Sequence, residues 1–291
     1  MISKLADTIT LLFVYTVVHT LPEGAPVRGV TSLAGEIYLL RNKERDQIEV
    51  YDNVYYSLQR CLTVPNGRAF ADMTSCKRYR CLYVADPDVN CIHRLGSQGS
   101  TVTRWAVNDE PRGVSVNAER NLMVTCDEVR KIKELSCTHG DIVREIRLPD
   151  GVCSPWHAIQ VSSGQLIVCH GCLDKVDDAV RRVCMMSVDG LHIVHSHGGQ
   201  RGADTGQYDG PVHLAVDGDE SVFVADFANR RVTLFSSTLT FVRHVVSRSE
   251  LKWCPTRLSL DTKSCPRRLY VADNEWTDDR WTTGRVVVFS F

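Results

Sequence analysis

The sequence lacks an excess of charge of either sign, which limits what the chain can bind through its overall electrostatic field. Its 291 residues include 34 lysines and arginines against 35 aspartates and glutamates, for a formal net charge of −1. No global field therefore draws the chain onto nucleic acid or a membrane surface. Any function that depends on charge must come from local clusters of charged side chains.

Long apolar runs and catalytic signatures are also scarce. The longest apolar stretch, residues 9–18, resembles the core of a signal peptide but is too short to cross a bilayer as a helix. The sequence contains no Gly-x-Ser-x-Gly elbow, no phosphate-binding glycine loop and no RING or B-box array of cysteines and histidines. We therefore expect no catalytic residues, and any ubiquitin-ligase role would need a RING supplied by another chain.

Cysteine is abundant, with 12 residues, but its distribution does not indicate a disulfide framework. Many cysteines lie inside apolar, strand-like segments, such as Cys81 in CLYVAD, Cys169 in LIVCHG and Cys184 in RRVCMMS. A free cysteine behaves as a small buried hydrophobe, and a chain of this length buries a core that does not need disulfides. The positions predict reduced thiols within the core.

A repeat of about 40–45 residues dominates the chain and predicts an all-β fold with almost no helix. Six first strands begin near a proline or glycine, at residues 26–33, 67–74, 111–117, 155–162, 211–217 and 255–261. Six second strands follow, at residues 35–40, 80–86, 121–127, 164–170, 221–227 and 268–274. This number and spacing of short strands predict a six-bladed β-propeller.

The two ends of the chain complement each other. The sixth unit stops after a third strand, Arg285 to Phe291, whereas a spare strand, Val14 to Leu21, precedes the first unit. We predict that this N-terminal strand completes the last blade, which would remove an exposed sheet edge. The predicted organisation is a leader at residues 1–13, disordered or signal-like, followed by a propeller at residues 14–291.

The fifth unit has a specific motif. It contains Gly206-Gln207-Tyr208, Pro211, Val224-Ala225-Asp226, Asn229 and Arg231-Val232. This unit resembles an NHL repeat, and residues 20–291 as a whole are similar to the NHL domains of tripartite-motif proteins. The resemblance implies that one face of the propeller binds protein or RNA.

Five motif residues are predicted to serve the architecture of the blades. Asp and Asn near tight turns bond local amides, and an arginine can pair with such a carboxylate. The residues are Asp86, Asp226, Asn229, Arg231 and Asp273.

The loops that lead into the first strands supply the candidate ligand site, because they open on one face of a propeller. They carry arginine, histidine and aromatic side chains: Arg28, Arg68, Phe70, Arg112, Trp156, His157, His213 and Arg257. One interpretation is a chance collection of surface arginines; the other is a local anion-binding face with aromatic platforms. On the second interpretation we predict an acidic protein or peptide partner, with single-stranded RNA as the alternative.

A metal-dependent hydrolase or lyase is a weaker alternative. Only His157 and His213 could act as ligands in the channel, and arginine at the neighbouring positions would repel a cation. Cys169-His170-Gly171-Cys172 and the histidines at 192, 195 and 197 show too few ligands for a zinc site. We expect no cofactor, no metal and no membrane association, and a monomeric domain. Its expected location is the cytoplasm, or outside the cell if residues 1–18 act as a signal peptide.

Overall fold

The structure, a computed structural model, describes residues 14–42, 47–67, 69–99, 102–171, 180–278 and 280–291. Within these ranges the regular structure is 24 β-strands and a single one-turn 3₁₀ helix, Pro87–Val89. The strands form six antiparallel four-stranded sheets, which confirms the predicted six-bladed β-propeller.

Each of the first three blades consists of four strands consecutive in the chain. Blade 1 contains β2 (Val27–Leu33), β3 (Glu36–Arg41), β4 (Gln47–Asp52) and β5 (Leu58–Thr63). Blade 2 contains β6 (Asp72–Cys76), β7 (Cys81–Asp86), β8 (Cys91–Gly96) and β9 (Val102–Ala106). Blade 3 contains β10 (Pro111–Val116), β11 (Asn121–Cys126), β12 (Lys131–Ser136) and β13 (Ile142–Arg147).

The remaining blades follow the same order, except at the closure of the ring. Blade 4 contains β14 (Pro155–Gln160), β15 (Leu166–His170), β16 (Arg181–Met186) and β17 (Ile193–Gly199). Blade 5 contains β18 (Pro211–Val216), β19 (Val222–Asp226), β20 (Arg231–Phe235) and β21 (Phe241–Val246). Blade 6 contains β22 (Cys254–Asp261), β23 (Arg268–Thr277), β24 (Arg280–Ser290) and β1 (Thr16–Gly24).

The N-terminal strand closes the last blade, as predicted, with shifted bounds. It runs from Thr16 to Gly24 rather than from Val14 to Leu21, and it pairs antiparallel with β24 from Thr16↔Ser290 to Gly24↔Gly284. Leu21 is fully buried in the interface between blades 6 and 1. Residues 1–13, the predicted leader, lie outside the described residues.

Six apolar clusters fill the interfaces between neighbouring blades. The cluster between blades 1 and 2, for example, combines Tyr38, Leu40, Leu82 and Val84. Each four-stranded sheet has a neighbouring blade packed on both of its faces. Because both faces are buried, the second strand of each blade is a nearly continuous run of apolar residues. Cysteines share these clusters: all eleven that the structure describes are unpaired, and seven of them are buried.

The innermost strands β2, β6, β10, β14, β18 and β22 contact one another in a ring around the central channel. Two glycines permit this close approach. A Cβ atom at Gly29 would lie 2.5 Å from the Cβ of Met73, and one at Gly113 would lie 2.4 Å from the carbonyl oxygen of Trp156. No helix in the described part of the chain is long and apolar enough to cross a membrane.

Candidate functional site

One position recurs on all six innermost strands and faces the channel. In five blades its residue pairs with the second-to-last residue of the second strand, for example His213↔Ala225 and Asp72↔Ala85. In blade 6, whose second strand is longer, the equivalent pair is Arg257↔Ala272. We call this set the inner ring: Gly29, Asp72, Gly113, His157, His213 and Arg257.

Asp72 is the centre of the inner ring, although it comes from blade 2 and its partners come from other blades. Its Oδ1 lies 3.1 Å from Nε of Arg257 in blade 6. The backbone N–H groups of Met73 and Val114 each donate a hydrogen bond of 2.9 Å to its carboxylate. Asp72 is 1% exposed and Arg257 is 8% exposed, so this is a buried ion pair with additional N–H donors.

Two stacked imidazoles complete the inner ring. The rings of His157 and His213 lie 3.9 Å apart, and the Nε2 atoms lie 3.7 and 3.6 Å from the Asp72 carboxylate. The Nδ1 of His213 accepts a hydrogen bond from the N–H of Leu258 at 3.3 Å. The Nε2 of His157 donates to the carbonyl oxygen of Val114 at 3.2 Å. In the neutral state both rings therefore carry their proton on Nε2.

Burial sets the protonation of this cluster. It lowers the pKa of His157 to about 3, with a further contribution from His213, and it also lowers the pKa of His213. Burial raises the pKa of Asp72, but His213 and Arg257 lower it by more, and the net pKa is below the usual value. At neutral pH the cluster thus holds one anion, one guanidinium and two neutral imidazoles.

Asp72, His157 and His213 have side chains of the kinds that bind metal, and their ligand atoms lie within 4.8 Å of one another. The carboxylate is nevertheless already neutralised by Arg257. A divalent cation added to this buried group would leave it strongly positive, which low-dielectric surroundings disfavour. Two cavities adjoin the cluster, one of about 240 Å³ lined in part by His157 and His213 and one of about 480 Å³ lined in part by Arg257.

The larger cavity opens at the mouth of the channel, and we call it the mouth pocket. Its lining combines four arginines with three tryptophans and two small residues: Arg28, Asn42, Ala71, Arg112, Trp156, Arg257, Trp276, Arg280 and Trp281. The guanidinium of Arg28 lies 5.5 Å from the ring centre of Trp281, and that of Arg112 lies 5.2 Å from the ring centre of Trp156. Both distances are in the range of cation–π contacts.

The arginines of the mouth pocket differ in their partners. Arg112 lies 3.7 Å from Glu110 and 3.5 Å from Asp127, and Arg257 pairs with Asp72. Arg28 forms no ion pair with any residue that the structure describes, and its Nε is buried without a hydrogen-bond partner. Burial, together with the charges of Arg257 and Arg112, lowers the pKa of Arg28 to about 10.

The structure brings together four of the eight residues expected in the ligand site: Arg28, Arg112, Trp156 and Arg257. His157 and His213 lie beneath the mouth in the inner ring rather than on the surface. Phe70, expected as exposed aromatic surface, is 4% exposed and packs between blades 1 and 2. Arg68 lies outside the described residues.

The reason for the difference in blade 2 is register. The predicted first strand of the second unit begins at Gly67, by analogy with the proline-led first strands, whereas β6 begins at Asp72. Phe70 thus occupies the place of the leading proline, and Asp72 that of His157 and His213. The apolar Met73, which faces the neighbouring strand as Val114 does, was the signal that would have placed Asp72 in the inner ring.

Sequence reasoning also missed a hairpin that forms one wall of the mouth pocket. The insertion in the sixth unit extends β23 and β24 beyond the other blades, with Trp276 paired to Trp281 and Thr277 to Arg280. The two tryptophan rings meet edge to face at 4.7 Å. Two tryptophans in ten residues of an otherwise polar insertion were the available signal.

The motif aspartates Asp86 and Asp226 end their second strands, and Asp273 has the equivalent register in β23. We call this the blade-end position. In blade 5, Asp226 accepts hydrogen bonds from Arg231 Nε at 2.8 Å and Asn229 Nδ2 at 2.7 Å. Arg231 in turn donates to the carbonyl oxygens of Ala203 and Gln207, both at 2.6 Å. These bonds hold the loop before blade 5, which is what an architectural role requires.

The same position pairs within its own blade elsewhere. In blade 6, Arg285 Nε donates to Asp273 at 2.8 Å, and in blade 1 the charges are exchanged, with Arg41 donating to Glu49 at 2.7 Å. In blade 4, Nε2 of His170 lies 3.3 Å from Sγ of Cys184. The other half of the C-x-x-C spacing, Cys172, lies outside the described residues, while His195 and His197 lie on the outermost strand β17.

No protein-family profile and no characterised protein sequence matches the chain, but solved structures match its fold. A streptogramin B lyase is similar with a TM-score of 0.62 and 13% identity, covering 95% of this chain and 87% of that one. The virginiamycin B lyase of Staphylococcus aureus gives 0.62 and 11%, covering 93% and 98%. Hydrazine synthase of Kuenenia stuttgartiensis gives 0.61 and 13%, covering 91% and 97%. At these identities the likeness supports the six-bladed propeller and leaves the similarity to tripartite-motif NHL domains untested.

Proposed function

We propose that the chain is a non-catalytic recognition module whose mouth pocket binds an acidic segment of a protein or peptide. The observation that carries this proposal is the state of Arg28. Its guanidinium is partly desolvated beside two other arginines, without an anion from any described residue. A carboxylate that entered the pocket would supply that anion, and a guanidinium can bind it through two parallel hydrogen bonds.

The size and lining of the mouth pocket suit a few side chains of an extended peptide. Its volume is about 480 Å³, and Trp156, Trp276 and Trp281 provide apolar walls beside the arginines. Tryptophan and arginine are the residues that most often dominate the energy of protein–protein interfaces. The pocket therefore offers a charged anchor and an apolar anchor next to each other.

Selection of a random peptide library on the purified chain tests this proposal. Selected peptides should be rich in aspartate and glutamate, and Arg28→Gln should weaken their binding at least about tenfold because one charge-assisted contact is lost. Arg147→Gln is the matched control, since this exposed arginine on β13 is remote from the pocket. Peptides without acidic residues, or equal affinity for Arg28→Gln and wild type, would contradict the proposal.

The Arg28→Gln protein should remain folded. It loses a cation–π contact worth about 0.5–1 kcal/mol, and it is relieved of repulsion from Arg112 and Arg257. These contributions oppose each other, so we expect its free energy of unfolding to stay within about 1 kcal/mol of wild type. A loss of affinity can then be assigned to the pocket rather than to misfolding.

Single-stranded RNA is the second candidate, favoured by the tryptophans that lie beside arginines at the mouth. Bases stack on such rings with little sequence preference, and the phosphates would meet Arg28 and Arg112. Binding of an oligouridylate probe should then weaken steeply as salt is raised, and Trp156→Ala should cost about 1–3 kcal/mol of binding free energy. Absence of oligouridylate binding at low salt would remove this candidate.

The fold alone does not separate a binding module from an enzyme, because the similar structures include lyases. Catalysis by a metal in the channel is disfavoured by the guanidinium of Arg257, which lies 3.1 Å from the only carboxylate of the inner ring. A metal whose content falls in a His213→Gln variant would revive that alternative.

A further inference from the structure

Three metal-binding side chains that neither the mouth pocket nor the inner ring uses meet in blade 2. They are Asp86, Cys91 and His93, with ligand atoms within 4.8 Å of one another. Nε2 of His93 lies 3.4 Å from Sγ of Cys91 and 3.1 Å from Oδ2 of Asp86. We propose that these residues supply three ligands to a divalent transition metal ion, for which zinc is the best fit, and that a water molecule supplies the fourth.

Local structure explains why the three side chains converge. Asp86 is the last residue of β7, and it pairs across the sheet with Cys91, the first residue of β8. Cys91 and His93 are two residues apart on one strand, and they therefore point to the same face of the sheet. The 3₁₀ turn Pro87–Val89 joins the two strands and fixes the distance between Asp86 and Cys91.

The distances match those within a zinc coordination shell. With zinc–nitrogen and zinc–oxygen bonds of about 2.0 Å and zinc–sulfur bonds of about 2.3 Å, tetrahedral ligand atoms stand about 3.3–3.5 Å apart. The two separations from His93, 3.1 and 3.4 Å, need only small adjustments to reach this geometry, and the carboxylate oxygen and the sulfur lie within 4.8 Å of each other. A thiolate, an imidazole and a carboxylate also form a ligand set that prefers zinc to calcium or magnesium.

Comparison with the other blades shows what the metal would replace. The partner of the blade-end aspartate is Arg231 in blade 5 and Arg285 in blade 6. Blade 2 has Cys91 at the position of Arg231, because Asp226↔Arg231 and Asp86↔Cys91 are equivalent pairs in the ladders. In blade 2 the partner on that side of Asp86 is His93, whose Nε2 lies 3.1 Å away, and a zinc ion held by Cys91 and His93 would take the place of the proton between them.

Charge balance distinguishes this site from the inner ring. When zinc binds, the thiol of Cys91 loses its proton to solvent, and so does His93 if its Nε2 is protonated. The zinc ion then carries two positive charges. The Asp86 carboxylate and the Cys91 thiolate carry one negative charge each, and the site as a whole is therefore neutral. Neutrality matters because the three residues are at most 1% exposed.

The burial also indicates a structural rather than a catalytic role. The ring of Phe70 packs edge-on against that of His93, with centroids 5.9 Å apart, and the cluster adjoins the apolar interfaces of blade 2. No substrate could reach a metal there without local unfolding. The metal would instead brace the turn between β7 and β8.

The test uses zinc and cobalt(II) with the full chain, without a metal-binding tag. Wild type expressed with added zinc should contain one zinc ion per chain by elemental analysis. After exchange, cobalt(II) should give the near-ultraviolet absorption of a thiolate–cobalt bond. Cys91→Ser should lose both the bound zinc and this absorption, whereas Cys81→Ser, a buried cysteine at the other end of β7, should keep them.

Three outcomes would overturn the proposal. The first is wild type that is folded but takes up neither metal. The second is a Cys91→Ser protein that retains the metal, and the third is loss of the metal in His213→Gln, which would place it in the channel. If Cys91→Ser does not fold, the thiolate–cobalt absorption of wild type and its loss with a chelator still decide, because they need no variant.

Discussion

The inner ring and the blade-end positions both repeat around the propeller, but they use buried charge differently. At the blade-end position a charged or polar side chain finds its partner in its own blade, as in Asp226 with Arg231 and Arg41 with Glu49. In the inner ring Asp72 of blade 2 finds its partner, Arg257, in blade 6. The first arrangement stabilises individual loops, whereas the second joins blades that are distant in sequence. The comparison predicts local effects of substitution in one set and global effects in the other.

The largest effect should follow from removing the anion of the inner ring. Asp72→Ala leaves Arg257 buried without a counter-ion, and we expect the free energy of unfolding to fall by about 3–5 kcal/mol. Denaturation in urea followed by tryptophan fluorescence measures this. Asp150→Ala, which changes a side chain that is 97% exposed, should stay within about 0.5 kcal/mol of wild type.

The double variant Asp72→Ala with Arg257→Leu sharpens this test. Because no unpaired charge remains, it should recover part of the stability that the single variant lost. A single variant within 1 kcal/mol of wild type would show that the ion pair does not join the blades in the way proposed.

A smaller and local effect is expected at the blade-end position of blade 5. Asp226→Asn retains the shape of the side chain but weakens its bond to Arg231, which we expect to cost about 1.5–3 kcal/mol. Amide hydrogen exchange should then accelerate in residues 202–209, which precede blade 5 and are held by Arg231 and Asn229. Acceleration spread over all six blades would contradict the distinction between the two sets.

The last effect is absent at neutral pH and appears only as the pH falls. His157 has a pKa of about 3 when folded and about 6.5 when unfolded, so the unfolded chain binds more protons between these values. Stability from this residue is therefore complete above pH 6.5 and is lost as pH falls, by about 1.4 kcal/mol per unit between pH 6 and 4. His157→Gln, which still faces Asp72, His213 and Arg257, should lose less stability with acid than wild type. His139→Gln, an exposed histidine in the turn after β12, should follow wild type; an unchanged acid response in His157→Gln would contradict this assignment.

The architecture was predictable because each strand of the propeller can be recognised from its own short segment of sequence. Short alternating or apolar runs, such as those ending at Asp86 and Asp226, have the pattern expected of strands. The spare strand that ends at Leu21 could pair with the free edge of the third strand of the sixth unit. Five of the six first strands were found because a proline stands at or beside the start of each. The strand at Asp72 was displaced, since its leading residue is Phe70 and no proline marks it.

The site was less predictable because it depends on contacts between blades. Asp72 contacts Arg257, more than 180 residues away in the chain, because the six blades close into a ring. The contact can be predicted only if the first strand of every unit is aligned correctly, and the second unit was not. Arg28, Arg112, Trp156 and Arg257 were found by comparing the starts of the first strands, although Arg257 stands one position later than the other three. Trp276 and Trp281 were not, because an insertion has no counterpart in the other units.

Closure by β1 has a kinetic consequence. Blade 6 joins Thr16 to Ser290, 274 residues apart, so it cannot form until both ends of the described chain are available. Bringing together residues so far apart in the chain costs conformational entropy before any contact forms. Contacts of this kind therefore form late in folding. We therefore expect blades 1 to 5 to assemble ahead of the sixth during synthesis, with the edge of β24 protected last, when β1 pairs with it.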